Sequence, residues 1–268
     1  MVDLQGSPDH RNIGIDQVGV TDLRYPIVIL DQQHERQQTV ASFTMSVNLP
    51  HHFKGTHMSR FIEVLSEHRG EVTMRTLPAV LGQLKAVLEA ESARVEVRFP
   101  YFLERTAPVS GATAPMDYEC WFVGEMNGQS DDFVLGTRVP VTSVCPCSKA
   151  ISDYGAHNQR GLITIEVRSR RGKDGRPEIV WIEELVAIAE MAGSAPVYPL
   201  LKRSDERHVT MQAYDNPVFV EDMVRNAAAK LQFDDRVVWF KVEAINQESI
   251  HNHSAFARIE WRRSAASR

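Results

Sequence analysis

The sequence predicts an α+β chain in which the order strand, strand, helix, helix, strand, strand is read twice. Three observations carry this. Val40-Ala41-Ser42-Phe43-Thr44-Met45-Ser46-Val47-Asn48-Leu49 alternates with period two, as a half-buried strand does. Met58 to Glu67 sets Met58, Phe61, Ile62 and Leu65 at helical spacing. Past residue 130 the same order returns in a second half that shares little obvious sequence with the first, so the repeat is one of architecture.

Residues 1–20 are polar, carry glycine and proline and lack a period, and read as a flexible N-terminal arm that orders against a partner subunit. A second helix is expected over Leu77 to Ala90, opened by Thr76-Leu77-Pro78 and lined on one face by Val80, Leu81, Leu84, Val87 and Leu88. Strands follow at Arg94 to Phe102 and Met116 to Gly124. In the second half, strands are expected at Phe133 to Val144 and Leu162 to Arg168, helices at Glu183 to Ala192 and Val218 to Leu231, and strands at Val237 to Ile245 and Ala255 to Trp261. The charged, glycine-bearing run Ser169 to Pro177 reads as a solvated hairpin tip. A four-stranded antiparallel sheet with both helices on one face leaves its edges and other face to be covered, so association of sheets into a barrel within an oligomer is expected.

Composition narrows the function classes. The chain has 268 residues, 43% of them hydrophobic and 24% charged, as an ordinary globular protein does. A net charge of −5 argues against non-specific nucleic-acid binding, and positive charge for a polyphosphate ligand must be local. No apolar run approaches the roughly 18 residues needed to span a bilayer, and residues 1–8 have neither a basic nor an apolar signal-peptide region. Three cysteines, two of them in Cys145-Pro146-Cys147, suit a reducing cytoplasm better than a disulfide framework.

Four clusters carry chemical side chains. In Ser143-Val144-Cys145-Pro146-Cys147-Ser148-Lys149 and the following Asp153 to Gly161, a thiolate and the His157 imidazole suit a borderline divalent metal. Extended cysteines at i and i+2 face opposite ways, so a single metal takes one of them. The same residues also fit a buried cysteine pair beside a surface histidine. Leu200 to Arg207 and Asp215 to Asp222 are charge-rich and read equally as solvated loops and helix starts, with Glu221 and Asp222 as helix-dipole partners. In Glu243 to His253, His251 and His253 share a face if extended and, beside Glu248, offer acid, base or ligand; a polar inter-strand loop is the alternative.

The first cluster, Thr142 to Lys149 with Ser152 to Arg160, strongly resembles the prokaryotic type IB GTP cyclohydrolase I family. So do Lys54-Gly55-Thr56-His57-Met58-Ser59-Arg60-Phe61, Tyr214 to Asp222, Val18 to Pro26 and His251-Asn252-His253, and the resemblance runs from about residue 18 to the C-terminus. It implies a tunnelling fold (T-fold) of two ββααββ modules, over residues 21–130 and 131–268, in a homotetramer of barrels with active sites between subunits. It implies GTP as substrate and one divalent metal per site (zinc, manganese or iron(II)), with no organic cofactor. Carried over residue by residue, Cys145, His157 and Glu206 look like the metal ligands, Cys145 being catalytic as well, with Asp205 offered beside Glu206. Glu221 looks like the anchor for the guanine N–H edge, and His251 and His253 like acid/base groups. Lys149, Arg160, Lys202 and Arg203 flank these motifs as candidate triphosphate cations.

Opening the guanine ring needs water to attack C8, cleavage of a C–N bond and loss of formate. Three protein ligands leave one position of a metal open for that water. A mixed thiolate, imidazole and carboxylate set tolerates manganese and iron(II) as well as zinc. Two alternatives compete: an NADPH-dependent nitrile reductase of the queuosine pathway, in which Cys145 or Cys147 attacks carbon, and a non-catalytic scaffold with a closed structural metal site. The His-x-Glu with Pro-Cys-x-x-Cys pattern of zinc nucleoside deaminases is absent from the sequence.

Overall fold

A computed structural model describes residues 5–68, 72–73, 75–128 and 130–264. It is an α+β chain, and every strand pair with a described register is antiparallel. The first elements run β1 (Ile15–Asp31), β2 (Glu35–Leu49), α1 (Met58–Glu67), α2 (Leu77–Val87), β3 (Ser92–Thr106) and β4 (Thr113–Asn127). The expected ββααββ order is therefore present. The second half runs β5 (Ser130–Val144), α3 (Pro146–Ile151), β6 (Asn158–Ser169), α4 (Ile182–Ala192), β7 (Ala195–Pro196), α5 (Arg203–Asp215), α6 (Val220–Phe233), β8 (Val237–Asn246) and β9 (Ala255–Arg262). Strands follow the order β1-β2-β3-β4-β5-β6-β8-β9, with β7 pairing β5.

Helices α3 and α5 are additions to the expected order. α5 escapes a periodicity reading because only Asp205 and Ala213 of its 13 residues are buried, too few to mark an apolar stripe. β1 had no expected bounds. Its register against β2 shifts twice, between Ile15 and Val18 and between Val20 and Leu23, and Asp22 has φ 57°. Such bulges break the period-two alternation that reveals a strand. β1 begins inside the stretch read as a flexible arm. Ahead of it, Asp9 N donates to His52 O, Lys54 N to Ser7 O and Gly55 N to Gln5 O, each at 3.1 Å, so these residues lie along their own chain.

The described residues form two compact units. The first draws on Met1–Pro100, Trp121–Leu135 and Lys173–Pro177, and the second on Tyr101–Cys120, Gly136–Gly172 and Glu178–Arg268. In the first, α1 and α2 bury Phe61, Val64, Leu65, Leu77, Val80, Leu81 and Leu84, while Phe43, Met45, Val95 and Val97 form the buried side of the sheet. Full burial of one such leucine or phenylalanine contributes about 2 kcal/mol.

In the second unit, α4 and α6 supply Leu185, Val186, Ala189, Met223, Val224, Ala227 and Leu231, and the sheet supplies Ile163, Ile165, Phe240 and Val242. The opposite face of β6 and β8 is polar: Lys241 Nζ donates to Glu166 at 2.6 Å and Arg168 stacks 4.0 Å over Trp239. Period two thus divides β6 and β8 into a helix-facing apolar phase and a charged phase. The helix-facing phase ends in polar residues at Ser143, Gln159 and Asn246, all buried, and there the candidate site begins.

Candidate active site

Cys145 follows the last residue of β5 and caps α3, with Pro146 opening the helix and Cys145 Sγ accepting from Ser148 N at 3.5 Å. Its own N–H donates to His157 O at 3.1 Å, which sets the thiol and the imidazole on adjoining backbone. His157 precedes β6 and is tied to α3 by its N–H, 3.2 Å from Ser148 Oγ. Its side chain is 12% exposed, as is that of Glu248, whose Oε2 lies 3.8 Å from His157 Nδ1. His157 Nδ1 is 2.9 Å from Gln159 Oε1. A carbonyl oxygen only accepts, so the neutral tautomer that matches this contact carries its proton on Nδ1 and keeps the Nε2 lone pair, the state a metal-binding histidine needs.

α5 brings in the carboxylates. Val209 and Ala213 pack against Val144 and Ala156, the neighbours of Cys145 and His157. Glu206 stands three and seven residues before them on the helix, hence on the same face, and it is exposed. Asp205 is fully buried and already committed: its Oδ1 accepts from Val109 N and Ser110 N, and its Oδ2 from Ser110 Oγ and Lys202 N, at 2.6–2.8 Å. Asp205 therefore fixes the start of α5 to the β3–β4 turn and leaves Glu206 as the carboxylate that faces outward.

Burial alone would raise the Asp205 carboxyl, but the Ser110 hydroxyl and the three backbone N–H groups outweigh it and hold it far below its ordinary 3.8. A depressed folded value contributes stability above pH 3.8 that is lost as pH falls below it. Asp205→Asn is thus expected to lower Tm at neutral pH and to flatten the fall of Tm between about pH 5 and 2, as thermal melts across that range would show. A parallel fall in both proteins would refute it.

The α5–α6 connection is stitched beside Cys145. Asn216 Nδ2 donates to the carbonyls of Gly193 and Ser194 at 3.1 and 3.2 Å, and Val218 N donates to Val144 O at 3.1 Å. Asp222 accepts from Phe219 N at 3.1 Å and so caps α6. Glu221, beside it, is exposed in the first turn. His251 and His253 lie in the β8–β9 loop, exposed, with rings stacked 5.0 Å apart.

Of the expected cations, Arg160, Lys202 and Arg203 are exposed. Lys149 is engaged: its Nζ donates to Tyr214 O at 2.5 Å and lies 4.3 Å from the centre of the Tyr214 ring. Among the described residues no three His, Cys, Asp or Glu side chains are gathered closely enough to hold a metal by themselves. Cys145 and His157 are brought together, and Glu206 is not gathered with them into a three-donor cluster. The donor chemistry still fits a divalent ion: a partly buried thiol, a partly buried imidazole, and an exposed carboxylate on the helix whose Val209 and Ala213 pack with the chain neighbours Val144 and Ala156.

The sequence profile of the family described as Type I GTP cyclohydrolase folE2 matches residues 1–257. The chain belongs to this family. Among relatives, the GTP cyclohydrolase FolE2 of Geotalea uraniireducens is 55% identical over 260 residues, covering 97% of this chain and 93% of that protein. The GTP cyclohydrolase FolE2 of Syntrophotalea carbinolica is 52% identical over 261 residues, covering 97% and 95%. Among solved structures, uricase from Arthrobacter globiformis aligns with a TM-score of 0.56 at 10% identity, over 95% of this chain and 96% of that one. Urate oxidase from Bacillus sp. TB-90 aligns at 0.57 and 10%, over 93% and 100%. The uricases share the fold; the FolE2 relatives carry the family. Membership in a GTP cyclohydrolase family sets aside the nitrile-reductase alternative.

Ser143, Gln159 and Asn246 each lie inside one of the sequence clusters, yet none has a role that its residue type alone implies. The signal was present. Each is a polar residue in the apolar, helix-facing phase of its strand, and a polar side chain in a core phase must be satisfied by a specific partner.

Proposed function

We propose that this chain is a metal-dependent GTP cyclohydrolase I of type IB, which hydrolyses GTP with loss of formate to give 7,8-dihydroneopterin triphosphate. The reaction opens tetrahydrofolate biosynthesis and supplies modified tRNA bases, in the cytoplasm. The observation that carries the reading is the pairing of Cys145 and His157 at adjoining strand ends, with His157 Nδ1 satisfied by Gln159, in a chain of the FolE2 family.

Cys145, His157 and Glu206 are the residues that would hold a zinc, manganese or iron(II) ion, which would supply Lewis acidity to lower the pKa of the attacking water towards neutrality. Glu221 accepts two N–H bonds from the guanine edge and fixes its pose. His251 and His253 exchange protons with the ring nitrogens as the C–N bond breaks. Arg160, Lys202 and Arg203 meet the triphosphate, and Lys149 joins them only on leaving Tyr214. No organic cofactor takes part.

The fold we assign is the tunnelling fold, with modules over residues 21–130 and 131–268, assembled as a barrel in a homotetramer whose active sites lie between subunits. What supports shared sites is the apolar surface around the candidate residues: Ile151 is 85% exposed, Tyr154 is fully exposed and Ile250 is 65% exposed, and Phe219 beside the Glu221 turn is exposed too. Large apolar side chains grouped around polar functional residues mark a surface that a partner covers. No helix is long and apolar enough to cross a membrane among the described residues.

The test is GTP turnover by chelated protein re-supplied separately with zinc, manganese and iron(II), following formate and the pterin chromophore together. Metal-dependent release of both is expected. Neither product with any of the three metals would overturn the assignment.

A further inference from the structure

One buried hydroxyl joins four segments that each lead to a candidate active-site residue. Ser143 is completely buried near the end of β5, two residues before Cys145. Its Oγ accepts from Gln159 Nε2 at 3.2 Å and from Asn246 Nδ2 at 3.1 Å, and donates to Val218 O at 3.4 Å. A serine hydroxyl has one proton and two lone pairs, so all its capacity is used. Gln159 lies two residues beyond His157, Asn246 two before Glu248, and Val218 three before Glu221. The sequence makes room for this junction: a Cβ at Gly161 would lie 2.8 Å from Asn246 Oδ1, so a side chain there would push the amide away.

The direction of the bonds matters more than their number. Because Ser143 accepts from Gln159 Nε2, the amide is turned with Oε1 towards His157 Nδ1. Gln159 then accepts the Nδ1 proton, and His157 presents Nε2. Without the hydroxyl, a flipped amide would aim its NH2 at Nδ1, leaving the longer 3.8 Å approach of Glu248 Oε2 to favour a proton there and adding weight to the tautomer protonated on Nε2, the nitrogen a metal needs free. We propose that Ser143 is a positioning residue for the metal site: through Gln159 it selects the His157 tautomer that exposes Nε2, and through Val218 and Asn246 it holds the Glu221 turn and the Glu248 strand end against the same point.

This inference rests on the reading of Cys145 and His157 as metal ligands, and the test separates the two. Cobalt(II) is titrated into the chelated full-length protein while its thiolate charge-transfer absorption is followed, for wild type and for Cys145→Ser, Ser143→Ala, Ser143→Thr and Gln159→Met. Tm is measured alongside. Ser143→Ala and Gln159→Met are expected to weaken cobalt(II) binding about 10- to 100-fold, the usual effect of losing a partner behind a ligating histidine. Ser143→Thr keeps the hydroxyl and is expected to recover binding. Gln159→Met leaves the Ser143 bonds to Val218 and Asn246 in place, so it reports the histidine branch even if Ser143→Ala does not fold. A purely structural hydroxyl would lower Tm and leave the affinity of folded Gln159→Met at the wild-type value, which would overturn the proposal. If Cys145→Ser bound cobalt(II) as wild type does, the ligand reading itself would fall first.

Discussion

Glu221→Ala is expected to lower kcat/KM for GTP by two orders of magnitude or more while leaving Tm within a degree or two of wild type. The separation follows from the division of labour at the start of α6. Asp222 does the structural work, accepting from Phe219 N at 3.1 Å, whereas Glu221 is exposed beside it. Truncating an exposed side chain outside a cap changes stability by about 0.5 kcal/mol or less. In the complex, a carboxylate taking two guanine N–H groups contributes about 1.5–3 kcal/mol per bond, and about 3 kcal/mol already corresponds to more than a hundredfold. Asp222→Ala provides the contrast, with about 1 kcal/mol lost from the cap and a smaller effect on turnover. Steady-state kinetics with thermal melts of both variants decide the matter. Equal kinetic losses, or a Glu221→Ala protein as active as wild type, would remove Glu221 from guanine recognition.

The fold was legible in the sequence where side chains alternate cleanly. β2, β5, β8, β9, α1 and α2 all lie within a few residues of expectation at most of their ends, because the apolar residues of each recur at the period of its element. α6 starts at Val220 instead of Val218, since the Phe219–Asp222 cap sets its first turn. Legibility failed where packing is sparse or the backbone irregular. α5 buries almost nothing, and its fixed point is a carboxylate, Asp205, whose partners on the β3–β4 turn lie 95 and 96 residues earlier in the chain. No local pattern reveals such a bond.

At the site, the family resemblance implied Cys145, His157 and Glu206 as metal ligands and Glu221 as the guanine anchor, with Asp205 standing beside Glu206 as the other acidic candidate. Burial separates them: Asp205 has no exposed surface and four hydrogen bonds, so only Glu206 is available to a ligand. The Ser143 junction joins positions up to 103 residues apart, a relation that only the strand order β5-β6-β8 creates.

Cys145→Ser is expected to abolish metal-dependent turnover, by at least about a hundredfold, without unfolding the second unit. Serine is the informative substitution because Cys145 does two things. Its sulfur caps α3 at 3.5 Å from Ser148 N, and its thiolate is the soft donor of the proposed set. A serine hydroxyl is among the best N-caps, so α3 and the Cys145–His157 backbone bond are kept. A neutral hydroxyl is a far poorer ligand than a thiolate for zinc or iron(II). The loss should exceed the 10- to 100-fold typical of a partner behind a ligand, because the ligand itself is gone. Chelated wild type should show the same loss and recover when metal returns; the variant should not recover at ordinary metal concentrations. Cys147→Ser is the internal control. Its thiol is exposed on α3, whereas Cys145 is the helix cap bonded through its backbone to His157, so turnover within a few-fold of wild type is expected. Loss in Cys147→Ser with retention in Cys145→Ser would exchange the two assignments. Retention in both would leave the imidazole and the carboxylate as the whole donor set and remove the thiolate from the chemistry.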